Sequence, residues 1–260
     1  MARILVTDPL DAEGLALLRA RGHEVVETRD DGAKAREVPK AEAWLLRSGT
    51  RITAQDIAAA KRLRAIGRAG VGVDNVDLAA ATQRGIAVFH APTGNITSAA
   101  EQAWALMLAC ARRVPEADRS MKEGRWARKD LEGAELAGKT LLIVGLGRIG
   151  RMMARRAQAF EMRTIGHDPF VTPEAAKGFG VEWVALEEGL SRSDIVTLHT
   201  PLTPQTQNLL DARRIALLRP RAILVNAARG GLVEPAPLLE ALESGRLRSA
   251  GLDVWSDEPP

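Results

Sequence analysis

Leu141-Leu142-Ile143-Val144-Gly145-Leu146-Gly147-Arg148-Ile149-Gly150 is the stretch that decides the fold. Its first four residues are a continuous apolar run, as expected for a strand covered on both faces. A Gly-x-Gly-x-x-Gly string follows with no spacer, and Ile149, Met152, Met153, Arg156 and Ala157 then recur at helical spacing. Gly145 permits a tight turn, Gly147 lets a pyrophosphate approach the backbone, and Gly150 lets helix and strand pack closely. The unpaired N–H groups and positive dipole end of the helix then face the phosphates. Asp168 follows the next strand-like run, about twenty residues on, where a ribose-binding carboxylate belongs. A carboxylate there accepts from the ribose hydroxyls and repels a 2′-phosphate, and no Arg follows it closely. The turn therefore reads as an NAD site rather than an NADP site.

Outward from this turn, short strand-like runs alternate with helical patterns along the whole chain. Strands are expected at 3–7, 24–28, 43–46, 64–68 and 86–89, then at 140–145, 162–167, 194–198, 221–226 and 249–253. Helical patterns lie between them, for example at 11–20, 53–61, 75–83, 148–159 and 235–244. This rhythm implies mainly parallel, doubly wound sheets in an α/β protein. It breaks once, at a long apolar helix over 97–113 opened by Thr97 or Ser98, with Glu101 as a capping-box acid. A charged helix over 115–124 and an irregular stretch over 125–138 follow. The break places a domain boundary near 93–97, with a hinge in Thr93-Gly94-Asn95 and five strands on either side.

The 36 Lys and Arg against 33 Asp and Glu are mixed along the chain, so no basic stripe asks for nucleic acid. One cysteine, Cys110, rules out a disulfide framework or a Cys-based metal site within one chain. The apolar run after Met1 is short for a signal peptide and no stretch approaches a membrane span, so a soluble cytoplasmic protein is expected. No metal site is expected.

Five further stretches carry a family resemblance. They are Gly67-Arg68-Ala69-Gly70-Val71-Gly72-Val73-Asp74-Asn75, His199-Thr200-Pro201-Leu202, Asn226-Ala227-Ala228-Arg229-Gly230-Gly231-Leu232-Val233, Leu252-Asp253-Val254-Trp255-Ser256-Asp257-Glu258-Pro259-Pro260, and the charged stretch 120–129. With the glycine turn and in this order, they resemble the successive motifs of the D-2-hydroxyacid dehydrogenases. The stretch 120–129 is most similar to the branch acting on D-3-phosphoglycerate at the head of serine synthesis.

The resemblance implies a flavodoxin-like substrate-binding domain over 1–95 and a Rossmann NAD-binding domain over 96–260, with the active site in the cleft between them. It implies a homodimer or homotetramer built around the long helix and its following arm. It also implies hydride transfer between C2 of a small anionic 2-hydroxy acid and the nicotinamide ring. Arg229 then holds the substrate carboxylate and carbonyl, Glu258 pairs with a catalytic His, and Asp253 holds the nicotinamide carboxamide. Thr200 touches the cofactor, as do Arg148, Ile149, Ala227 and Ala228. The backbone at Val71 and Gly72 receives the substrate carboxylate, and Arg47 and Arg68 are candidates for its other anionic end.

These roles suit the residue types. A guanidinium donates two parallel hydrogen bonds to a carboxylate. Alcohol oxidation needs a base for the hydroxyl proton, usually a His whose pKa a neighbouring carboxylate raises.

That His is expected in a Pro-His motif downstream of Glu258-Pro259-Pro260, with a return segment that completes the first domain. Residues 1–260 alone are therefore expected to turn over weakly or not at all. Of the four histidines present, His23 reads as a surface turn residue and His90 as a residue near the hinge. His167 reads as a flank of the adenosine, and His199 as packing near the cofactor. Lys122, Arg125, Arg128 and Lys129 read as a solvated face, or as a contribution to a partner's phosphate site. Trp44, Trp104, Trp126, Trp183 and Trp255 read as packing, and Met107, Met152 and Met153 as core.

Two other readings stay open. One is another 2-hydroxy acid enzyme, such as a glyoxylate/hydroxypyruvate reductase or a D-lactate dehydrogenase. The other is an NAD-sensing binding module without turnover.

Overall fold

The computed structural model describes residues 1–258, so Pro259 and Pro260 of the last motif lie outside the described residues. The chain divides into two compact units, Met1–Asn95 and Ile96–Pro260.

The first unit runs β1 (Arg3–Val6), α1 (Ala12–Ala20), β2 (Glu24–Glu27), α2 (Asp31–Glu37), β3 (Ala43–Leu46), α3 (Ala54–Ala59), β4 (Ala65–Arg68), α4 (Leu78–Gln83) and β5 (Ala87–His90). Its five strands pair in parallel in the order β2-β1-β3-β4-β5, the flavodoxin-like arrangement. The helices start where short polar side chains can take up their free N–H groups. Asp11 accepts from Glu13 and Gly14, Asp77 accepts from Ala80, and Thr53 and Asp56 form a reciprocal capping box. Trp44, Leu46, Ile57 and Ile66 form the centre of the core, and the Trp44 indole N–H donates to Thr7 Oγ1 at 2.9 Å. Continuous burial was expected of nearly all strands, but β2 and β5 depart from it. They are edge strands, and Phe89 of β5 is 63% exposed.

The second unit opens with α5 (Ile96–Arg112) and α6 (Val114–Lys122). It continues β6 (Thr140–Val144), α7 (Arg148–Ala159), β7 (Arg163–His167), α8 (Pro173–Lys177), β8 (Glu182–Trp183), α9 (Leu186–Arg192), β9 (Ile195–Leu198), α10 (Ala212–Leu217), β10 (Ile223–Asn226), α11 (Pro235–Glu243) and β11 (Ser249–Leu252). The all-parallel order β11-β10-β9-β6-β7-β8 is the Rossmann order, reversing direction between β6 and β9. Here the continuous apolar runs are buried throughout β9 and β10, and in β6 from Leu141 on. Ala100, Ala103, Met107 and Ala111 of α5 join Met153, Ala154 and Ala157 of α7 in one apolar cluster against β6. Small residues let these backbones approach closely.

All ten expected strands form, and β8 is an addition. The long helix starts one or two residues earlier than its expected opening at Thr97 or Ser98. It begins at Ile96, so Thr97 and Ser98 lie inside its first turn, and Glu101 reaches Arg156 Nη2 at 3.6 Å. The tryptophans also divide: Trp44 and Trp104 are buried, whereas Trp126 and Trp255 are 78% and 47% exposed. No helix among the described residues is long and apolar enough to cross a membrane.

Candidate functional site

The second unit's site gathers at the carboxyl ends of its strands, at the point where strand order reverses, the usual ligand position in an open α/β sheet. Gly145 leaves β6 with φ +96°, a left-handed conformation that disfavours side chains, and a Cβ there would stand 2.6 Å from the His199 carbonyl oxygen. Gly150 packs so tightly that a Cβ would overlap the Gly145 carbonyl. Gly147 is the opposite case: a Cβ there would meet nothing within 4 Å. It is the N-cap of α7 and makes no side-chain hydrogen bond there, so the helix start lies beside open space. An anion is the natural partner for such a terminus.

Asp168, just past β7, closes the turn from the other side. Its Oδ2 accepts the Leu146 N–H at 2.8 Å and its Oδ1 accepts the Phe170 N–H at 2.9 Å. Each carboxylate oxygen retains a lone pair for a further donor. The Gly145 N–H donates to the His167 carbonyl, and Arg151 Nε donates to the Leu146 carbonyl at 2.9 Å. The Trp183 indole N–H holds the Asp168 carbonyl at 3.1 Å. Trp183 was missed as a site residue because its strand is two residues long and shows no periodicity. An open, uncapped helix start beside a carboxylate with free lone pairs fits a dinucleotide: diphosphate at α7, ribose hydroxyls at Asp168.

Arg148 is exposed at the first position of α7, whereas the Ile149 side chain turns into the core. Ile149 can therefore offer a ligand little beyond its backbone N–H. His199 and Thr200 follow β9 beside Gly145. His199 Nε2 lies 2.9 Å from Thr197 Oγ1, and desolvation of the half-buried ring pushes its pKa down to about 4. The neutral imidazole persists at physiological pH. His167 Nδ1 sits 3.0 Å from the Val184 carbonyl.

Beyond β10, Asn226 turns the chain back through Ala227 and Ala228 to Arg229. Arg229 is half-buried, with Nη1 donating to the Ala228 carbonyl at 2.7 Å. Asp253 follows β11, its N–H donating to the Asn226 carbonyl and its Oδ1 accepting from Gln102 Nε2 at 2.8 Å. Glu258 is exposed, and its Oε1 accepts the Trp255 N–H at 3.0 Å. The Arg229 and Asp253 loops are thus brought together through Asn226, and Gln102 ties Asp253 to α5; Asn226 was read only as part of a motif, and Gln102 was not singled out from sequence.

In the first unit, the remaining candidates gather past β3 and β4. Asp8 Oδ2 accepts the N–H groups of Arg47 and Thr50, and Asn75 Nδ2 donates to the carbonyls of both residues at 2.6 Å. The Arg47 side chain is exposed from this braced loop, whereas Arg68 is buried with its guanidinium folded over Gly70. Val71 and Gly72 are half-buried immediately beyond. Asp8, directly after β1, is a carboxylate at a strand's carboxyl end, a signal that could have marked it. Among the described residues, no group of three His, Cys, Asp or Glu side chains is placed to hold a metal ion.

Residues 104–260 match the family described as D-isomer specific 2-hydroxyacid dehydrogenase, NAD binding domain. The chain is 48% identical over 260 residues to a D-3-phosphoglycerate dehydrogenase of Archaeoglobus fulgidus, covering 99% of this chain and 49% of that protein. It spans about half the length of the curated relatives it matches. Among solved structures, the TT0316 protein of Thermus thermophilus superposes with a TM-score of 0.91 at 41% identity, covering 99% of this chain and 83% of that one. An NAD-dependent formate dehydrogenase of Staphylococcus aureus, solved with NAD, superposes at 0.89 and 32% identity, covering 99% and 82%.

Proposed function

The chain belongs to the D-isomer specific 2-hydroxyacid dehydrogenase family, and from that premise we propose that its protein oxidises D-3-phosphoglycerate to 3-phosphohydroxypyruvate with NAD. The observation that carries the substrate assignment is the end-to-end similarity to relatives named D-3-phosphoglycerate dehydrogenase. The arrangement of Asp168 against the glycine turn supports NAD as the cofactor.

The residues divide the work as follows. The α7 N-terminus takes the diphosphate, with Gly147 leaving room for it, and Asp168 accepts from the ribose hydroxyls. Thr200 and the backbone of Ala227 and Ala228 line the approach to the nicotinamide, and Asp253 accepts from its carboxamide. Bound NAD supplies the hydride acceptor for substrate C2. Arg229 holds the substrate carboxylate and the developing carbonyl through its planar fork. Val71 and Gly72 offer backbone N–H groups to the carboxylate, and Arg47 and Arg68 take the phosphate. Glu258 holds the imidazolium of the family's catalytic histidine, which receives the hydroxyl proton. His199, neutral and engaged with Thr197, serves as a packing partner of the turn rather than as that base. The protein works as a cytoplasmic homodimer or homotetramer, with the exposed side of α5 and the following arm as the contact between subunits.

The test is steady-state NAD reduction by the full-length protein across D-3-phosphoglycerate, glycerate, glycolate and D-lactate. D-3-phosphoglycerate is expected to give the highest kcat/KM. A higher value for glycolate or lactate removes the substrate assignment, and NAD binding without turnover on any of them favours a binding module instead.

A further inference from the structure

We propose that Asn226 is the positioning residue that sets Arg229 and Asp253 in a common register. The proposal rests on reading those two residues as ligands of substrate and nicotinamide. Asn226 ends β10 opposite Leu252 of β11 and is 1% exposed. Its side-chain amide is used at both ends. Oδ1 accepts the Ala228 N–H at 3.1 Å, closing a tight Asx-type turn, and Nδ2 donates to the Arg229 carbonyl at 2.9 Å. Its backbone carbonyl accepts the Asp253 N–H at 3.0 Å. One residue therefore holds the start of both loops.

The Arg229 guanidinium depends on the same turn, because Nη1 donates to the Ala228 carbonyl. The two loops also touch directly: a Cβ on Gly230 would overlap the Trp255 backbone, so any shift of one loop is passed to the other. An apolar cavity of about 370 Å³, lined by Asn226, Gly230, Leu238, Leu252 and Trp255, lies against the loops. The hydrogen bonds of the buried Asn226 amide fix the turn beside this cavity, and a buried amide without partners is costly enough to keep them made. Only Asn suits the position. An Asp accepts from Ala228 but opposes the Arg229 carbonyl with a second acceptor, and an Ala makes neither bond.

The experiment compares wild-type, Asn226→Asp and Asn226→Ala in the full-length protein. It uses hydrogen exchange, NAD titration by tryptophan fluorescence and steady-state kinetics. Exchange is expected to rise at least about tenfold in peptides covering 227–233, where the side-chain bonds are lost, and to rise with it over 252–258 through the close Gly230–Trp255 contact, with 145–150 unchanged. The NAD Kd and the substrate KM rise together, and kcat/KM falls by about 10²-fold, the usual effect of misplacing a binding group by an ångström. A rise confined to one loop, or spread evenly over the fold, overturns the proposal. If one variant does not fold, the other decides. If wild-type protein binds NAD but oxidises none of the acids, the activity reading fails, and the exchange pattern still decides the role of Asn226.

Discussion

The Leu146 N–H donates to Oδ2 of Asp168 at 2.8 Å, so the glycine turn after β6 and the carboxylate after β7 form one hydrogen-bonded unit. The residue proposed to read the ribose also shapes the turn proposed to hold the diphosphate.

Replacing Asp168 by Ala is therefore expected to act twice. It removes the ribose acceptor and leaves the Leu146 N–H without its partner. The loss of charge-assisted hydrogen bonds of roughly 1.5–3 kcal/mol raises the NAD Kd about 10- to 100-fold, as read by calorimetry. An unchanged Kd means that the carboxylate does not meet the ribose.

Two glycines in one turn should answer differently to the same methyl group. At Gly150 it collides with the Gly145 carbonyl, so Gly150→Ala is expected to destabilise the fold by about 1–3 kcal/mol, visible as a lower Tm. At Gly147 it enters open space, so Gly147→Ala should melt like wild-type yet bind NAD at least about tenfold more weakly, the equivalent of about 1.4 kcal/mol. Equal NAD affinity for Gly147→Ala and wild-type argues that the space is not the diphosphate site.

His199 makes stability depend on pH. Its pKa falls from 6.5 to about 4 on folding, so between those values the unfolded chain binds more protons than the folded one. The stabilisation is complete above pH 6.5 and is lost as pH falls towards 4. A full shift carries about 3 kcal/mol, and the ring's remaining contact with water reduces this to roughly 2 kcal/mol. Urea unfolding of wild-type and His199→Asn across this window should show a steeper decline for wild-type. Parallel curves mean that the imidazole is not desolvated.

How much of this was legible in the sequence depends on how local each cause is. The strands β6, β9 and β10 could be read because strands buried in a parallel sheet leave unbroken apolar runs. The glycine turn could be read because its three constraints fall within six residues. By contrast, Glu182–Trp183 is too short for any period to register, although Trp183 anchors Asp168. The start of the long helix was misplaced by a residue or two, at Thr97 or Ser98 rather than Ile96, because Thr97 and Ser98 look like caps by residue type yet lie inside the first turn. Trp126 and Trp255 look like core by residue type, but exposure is decided by the tertiary surroundings. The pairing of Gln102 with Asp253 spans 151 positions, and no local pattern announces it. Asn226 was visible as part of a motif, yet its burial and its backbone link to Asp253 belong to the packing of β10 beside β11.

Calorimetric titration of the protein with NAD and with NADP tests the central claim most directly. Saturable binding of NAD with NADP at least about tenfold weaker is predicted, and Asp168→Ala should erase most of that preference. Equal affinity for the two cofactors, or no binding of either, contradicts the account of the glycine turn and Asp168 as an NAD site.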